Sequence, residues 1–193
     1  TNDYDNLWTD VVEEAWNKAK LEWVRRQIRG KNQTQEGDEE SKDRVDDLQV
    51  LLKNKQISAS QYKVYSESSI PDDYFYYKRV SPLCSKDECL NKILKSTLEE
   101  EANVDVLLND KTPSWKFEET FNTLIGNKIR VYHNSEFICK EIKLTYYRKP
   151  KYDKIDRVTE NIIEFKDDVC EMIIDEMVKI LASDIESINQ KNL

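Results

Sequence analysis

Glycine is nearly absent from this chain, with three in 193 residues. A loop that cradles phosphate needs several glycines within a few positions, so neither a P-loop nor a dinucleotide-binding turn can be built here. Histidine occurs once, as His133, which removes nucleophile sets built on Ser-His-Asp or Cys-His. Of the four cysteines, only Cys84 and Cys89 are close in sequence, while Cys139 and Cys170 stand apart; structural zinc sites repeat a close pair. The cysteines therefore read as small apolar core residues and His133 as a turn residue, with no disulfide expected in a reducing cytoplasm. No apolar run approaches the roughly 20 residues that cross a bilayer. The N-terminal TNDYDNLW has neither the basic region nor the apolar core of a signal peptide. The chain is thus expected to be soluble, with no membrane partner.

What is present is charge: 35% of residues are charged against 38% hydrophobic, and the net charge is −8. An acidic balance weighs against a grip on nucleic acid, which draws on clustered Lys and Arg. The basic clusters from Arg25 to Lys31 and from Arg148 to Lys154 have acidic neighbours and read as a helix end and a strand exit. The pattern predicts one α+β domain over residues 1–193. Its expected form is an antiparallel β-sheet or small sandwich flanked by an N-terminal helical hairpin and a C-terminal amphipathic helix.

The hairpin is placed at residues 7–54. Trp8, Val12, Ala15, Ala19 and Trp23 recur at three or four positions and stripe a helix, with Trp16 widening the stripe and Gly30 as its stop. A polar, acidic loop over 31–43 leads to a second helix at 43–53, striped by Val45, Leu48, Leu51 and Leu52. Residues 60–150 read as mainly β. Ile70-Pro71-Asp72-Asp73 opens a strand carrying Tyr74, Phe75, Tyr76 and Tyr77, two rings to each face, which makes it a candidate interface. Residues 84–111 fit a helix or strands equally. Glu118 to Ile125 reads as a strand turning at Gly126-Asn127, continued through Ile129 and Val131, with His133-Asn134-Ser135 as the turn of a hairpin. In FICKEIKLTYYRKP, residues 137–150, Ile138, Ile142, Leu144 and Tyr146 share one parity while Glu141, Lys143 and Thr145 share the other, the period of a half-buried strand. The last helix, at 165–188, is striped by Val169, Ile173, Met177, Ile180 and Leu181, and Asp168 with Glu171 resembles a capping box.

Asp72 with Glu141 and Lys143 is the one set that could hold Mg²⁺ for a nuclease. Glu-x-Lys, however, is also what any solvated strand face looks like, so a nuclease is only a remote alternative and the chain is read as no enzyme, without catalytic, metal-binding or nucleic-acid-binding residues and without a cofactor.

Five segments in order, Ala15-Trp16-Asn17-Lys18-Ala19-Lys20-Leu21-Glu22-Trp23-Val24, Ile70-Pro71-Asp72-Asp73-Tyr74-Phe75, Pro113-Ser114, Ile142 to Pro150 and the closing amphipathic helix, resemble the head-to-tail connector or ring proteins of crAss-like phages of Bacteroidetes. The acid-Pro step before the last helix is replaced here by Glu164-Phe165-Lys166. The resemblance implies a virion protein, assembled in the host cytoplasm, that forms a homo-oligomeric ring of twelve subunits. Portal and neighbouring tail proteins would be its partners, and DNA would pass it without specific binding. The side chains expected to meet other subunits are Trp8, Tyr74, Phe75, Tyr76, Tyr77, Tyr147 and Arg148. A protein-protein interaction module outside the virion is the competing expectation.

Overall fold

A computed structural model describes residues 9–29, 46–86, 91–110, 113–155 and 163–191. Trp8, Gly30, the acidic loop at 31–43, Val45 and Cys89 lie outside the described residues. The fold is α+β, and its contacts divide it into two compact units. One unit joins residues 1–51 to 150–193, and the other is the continuous segment Leu52–Lys149.

The first unit holds α1 (Thr9–Arg29) and a long C-terminal helix (Asp167–Lys191). The helix that packs on α1 here is this C-terminal one; the start of the predicted second helix, 43–45, lies outside the described residues, and residues 46 and 47 are helical. Residues 49–51 make only a 3-10 turn and the chain is extended from Leu52. Ala15, Trp16, Ala19, Trp23 and Val24 of α1 are buried, as are Phe165, Val169, Cys170 and Ile173. Trp23 meets Phe165 edge to face, with ring centroids 5.7 Å apart. The C-terminal helix begins one residue before Asp168, and the Cys170 amide donates to the Lys166 carbonyl. Asp168 therefore lies in the first turn beside Asp167, where it favours the positive end of the helix instead of capping it.

The polar side of α1 straps down residues 151–155. Lys20 is buried, and its ammonium donates to the Lys151 carbonyl and the Asp153 carboxylate, each at 2.5 Å. Trp16 Nε1 donates to the same carboxylate at 2.9 Å, Asn17 exchanges two hydrogen bonds with the Asp153 backbone, and Glu13 accepts from the Ile155 amide. Glu13, Trp16, Asn17 and Lys20 follow the i, i+3, i+4, i+7 spacing of one helix face.

The second unit is a β-sandwich. In chain order its strands are β1 (Leu52–Ser58), β2 (Ser60–Gln61), β3 (Tyr65–Ser69), β4 (Tyr74–Ser85), β5 (Lys92–Ile93), β6 (Lys95–Leu98), β7 (Glu119–Ile125), β8 (Lys128–Tyr132) and β9 (Ile138–Arg148), with the short helix α2 at Val104–Asn109. The C-terminal helix of the other unit is α3. One sheet has the order β1-β9-β4-β5 and the other β2-β3-β8-β7-β6; every pairing is antiparallel except β6 with β7. Between them lie Val80, Cys84, Cys139, Ile142, Leu144 and Tyr146 from the first sheet and Ile129 and Val131 from the second, with Ile70, Leu94 and Phe137. Val104 of α2 packs with Phe121 and Tyr132 on the other face of the second sheet, where those two rings stack at 4.7 Å.

Three expectations change here. Gly126 makes the β7–β8 turn as expected, with φ +57°. The turn at His133-Asn134-Ser135, however, does not close a hairpin: β8 and β9 belong to different sheets, and the turn carries the chain from one to the other. Asn134 and Ser135 take the left-handed conformation there (φ 46° and 62°). Ile138 does not join the core parity of β9, since it is 49% exposed while Cys139 is fully buried. The register with β4 slips between Leu83↔Glu141 and Cys84↔Cys139, so one extra residue in β9 inverts the alternation. Finally, Cys84 and Cys139 face each other across this ladder and are joined as a disulfide. They stand 55 positions apart, and only the strand register, unreadable from spacing, brings them together.

Candidate interaction surfaces

The turn before β4 is a junction. Asp73 accepts from Lys53 of β1 at 2.5 Å and from the Tyr146 hydroxyl of β9 at 2.7 Å, and its carbonyl accepts from the Lys149 amide. The Lys53 bond, then the Tyr146 bond, hold the Asp73 carboxyl below its ordinary range, while burial and then Asp73 itself push the Tyr146 phenol up. Asp73 thus ties the start of β4 to β1 and β9.

The aromatic run that follows is divided by two bulges, between Tyr74 and Tyr76 and between Tyr77 and Arg79. A bulged residue shifts the parity, so Tyr74 and Tyr77 both pack on the sandwich core despite their odd spacing. Tyr74 tilts against Tyr146 at 5.8 Å, and the Tyr77 hydroxyl lies 3.4 Å from Asn122 Nδ2. Burial raises the phenol pKa of both. Tyr147 is buried with the Lys78 ammonium 5.9 Å above its ring, and Arg148, also buried, donates to the Lys149 carbonyl. Of the predicted contact residues, Tyr74, Tyr77, Tyr147 and Arg148 are therefore committed to the protein's own packing. Phe75 is half-buried, Tyr76 is 45% exposed, and Trp8 is outside the described residues. Along β4, Tyr74 to Ser81 have ladder partners on β9 alone among the described residues, which leaves an edge carrying Tyr76, Lys78 and Arg79.

Two larger exposed patches lie where the sequence was ambiguous. Ser114 and Glu119 bridge each other with paired backbone hydrogen bonds, closing a tight loop. Within it Trp115 packs on the core, Glu118 takes φ +57°, and Phe117 stands 69% exposed with the Lys116 ammonium 5.6 Å from its ring. Lys92 pairs with Glu118 at 2.8 Å and lies over Trp115, and beside it Ile93 is 62% exposed. The second patch centres on α2. Val104, Leu107 and Leu108 turn inward, so Val106 is 60% exposed, among Glu100, Asp105 and Asp110 and after the exposed Leu98. The alternation Trp115-Lys116-Phe117 after Pro113 was the available signal for the first patch. Nothing in the sequence separated Val106 from its inward neighbours.

The set Asp72, Glu141 and Lys143 is not brought together. Asp72 precedes the end of the β4–β9 ladder where Tyr74 meets Arg148, while Glu141 sits opposite Leu83. Seven residues of β9 separate the two ends, about 23 Å at 3.3 Å per residue. Glu141 instead accepts from Gln56. Among the described residues no three His, Cys, Asp or Glu side chains converge as metal ligands. No described helix is long and apolar enough to cross a membrane. The helical unit has a cleft of about 230 Å³ lined mainly by Val12, Trp16, Ile155, Ile163, Ile174 and Met177; the carboxylate at its wall, Asp153, is already held by Lys20 and Trp16.

No protein-family model matches the chain, and no curated protein sequence is similar to it.

Proposed function

We propose that this chain is a virion structural protein, a ring-forming head-to-tail connector of a tailed phage that joins portal and tail components and lines the DNA passage. The observation that supports it is the dispersal of exposed apolar side chains. On the sandwich Phe117 and Ile93 stand apart from Val106 and Leu98, and on α3 of the helical unit Val178 is exposed as well. A subunit that touches two copies of itself and further proteins above and below requires several distinct contact faces. The net charge of −8 suits a wall along which DNA slides, because like charge repels phosphate. A ring of twelve is the expected closure.

Quantitative mass spectrometry of purified particles tests this reading. The chain should be found at the same copy number as the portal subunit, and electron microscopy should place it at the head–tail junction. Particles that contain none of it, with tails still attached, would remove the proposal.

The open edge of β4 favours a second reading, a module that takes a partner's strand onto that edge without joining a particle. Stoichiometry separates the two. Small complexes free of particles support the module, and a fixed particle copy number supports the connector.

A further inference from the structure

We infer that a second copy of this chain docks head to tail through the sandwich, the Phe117 loop of one subunit seating on the α2 patch of the next. This rests on the connector reading and names its subunit contact. Each patch has an apolar centre, and their rims differ in sign. Around Phe117 and Ile93 stand Lys92, Lys95 and Lys116 against two acids, Glu118, engaged by Lys92, and Glu119, opposite Lys95 in the β6–β7 ladder. Around Val106 and Leu98 stand Glu99, Glu100, Asp105 and Asp110. Opposite rims steer the two patches together and disfavour the pairing of like with like.

The knob is also held rigidly. Its loop is closed by the Ser114–Glu119 bridge, anchored by Trp115 in the core and tied to β6 by the Lys95 amide donating to the Glu118 carbonyl. Little conformational freedom remains to be lost on docking. The two patches are distinct: Phe117 stands in the loop that enters β7 and is tied to β6, whereas Val106 stands on α2, which packs on Phe121 and Tyr132 of that sheet. A contact between unlike patches leaves one of each unsatisfied on every pair, so it propagates until a ring closes.

The experiment uses the full chain, with Phe117→Asp and Val106→Asp made separately, and follows self-association by sedimentation velocity and mass photometry. Circular dichroism and thermal melts establish that each variant is folded. Wild type should form oligomers beyond the dimer, and each variant alone should weaken association by at least about tenfold, as truncating an interface hot spot does. Mixed in equal amounts, the two variants should give a dimer that grows no further, since one knob and one α2 patch remain intact between them. If either variant fails to fold, Lys116→Glu and Asp105→Lys serve in its place, and combining these two in one chain should restore association. Variants that assemble like wild type, a mixture that stays monomeric, a wild type that stops at a closed dimer, or a wild type that stays monomeric would each overturn this contact. None of these results removes the chain from the particle, which the copy-number measurement decides on its own.

Discussion

Lys20 shows what a single side chain can hold. A buried ammonium is tolerated only when paired and hydrogen-bonded, and here Asp153 with the Lys151 carbonyl supplies both. Asp153→Ala leaves that charge buried against one carbonyl and strips Trp16 Nε1 of its acceptor, so unfolding in urea should show a loss of about 3 kcal/mol. Lys20→Met combined with Asp153→Leu should recover most of it, because the charge leaves with its partner. A single variant as stable as wild type would mean that the strap contributes nothing. His133 is the opposite case, a buried ring whose Nε2 has no hydrogen-bond partner among the described residues and whose Nδ1 accepts from the Ser135 amide. Burial pulls its pKa below the ordinary value. The folded chain thus prefers the neutral ring, and the stability this provides is complete above about pH 6.5, where the unfolded imidazole titrates, and is lost as pH falls through the folded value. Glu67 and Asp73, both held below the ordinary carboxylate range, lose their contributions only at lower pH. With one histidine in the chain, urea midpoints between pH 7.5 and 5 isolate it. Wild type should weaken across that interval, and His133→Gln should flatten the slope; equal slopes would mean that the ring is solvated.

The disulfide belongs to the scale of elements, since it ties β4 to β9 at the end of their ladder. Closing a loop of 55 positions limits the unfolded chain, and the chain-entropy estimate for such a loop is about 4 kcal/mol at most. Peptide mapping without reductant should recover Cys84 linked to Cys139, and reduction should lower the thermal midpoint. If both thiols alkylate freely in the unreduced, denatured chain, the pairing is wrong. Elements with a strong period were legible in the sequence: α1, the Gly126 turn, most of β9 and the C-terminal helix. The local pattern failed at specific residues. Lys20 lies on the buried stripe of α1, but a lysine there looks like solvent-facing charge until Asp153, more than a hundred positions away, supplies its partner. Ile138 and Tyr77 were misread because a bulge inserts one residue, and the period of two carries no record of it. β5, β6 and α2 are each too short for a period to be seen at all. The contact surface suffered most, because exposure at Phe117 or Val106 is decided by which neighbours turn inward, and that is a tertiary property.

At the scale of the molecule, the sandwich is one continuous segment while the helical unit is built from both ends of the chain. The first strand of the sandwich pairs with its last, Leu52 opposite Tyr147, so the segment begins and ends side by side in one ladder. Its core is drawn from its own two sheets, and Asp73 secures the corner through Lys53 and Tyr146 of the same segment. A segment of about a hundred residues with its own core and adjacent ends is within the range that folds alone. Residues 52–149, expressed by themselves, should unfold cooperatively in urea with a β-type circular dichroism spectrum, and should protect the amides of β4, β8 and β9 from exchange. If the fragment is instead molten, with no cooperative transition, the division into two units is one of contacts and not of folding. If it folds, the sandwich can be carried between proteins as a unit, and the Phe117 and Val106 patches travel with it.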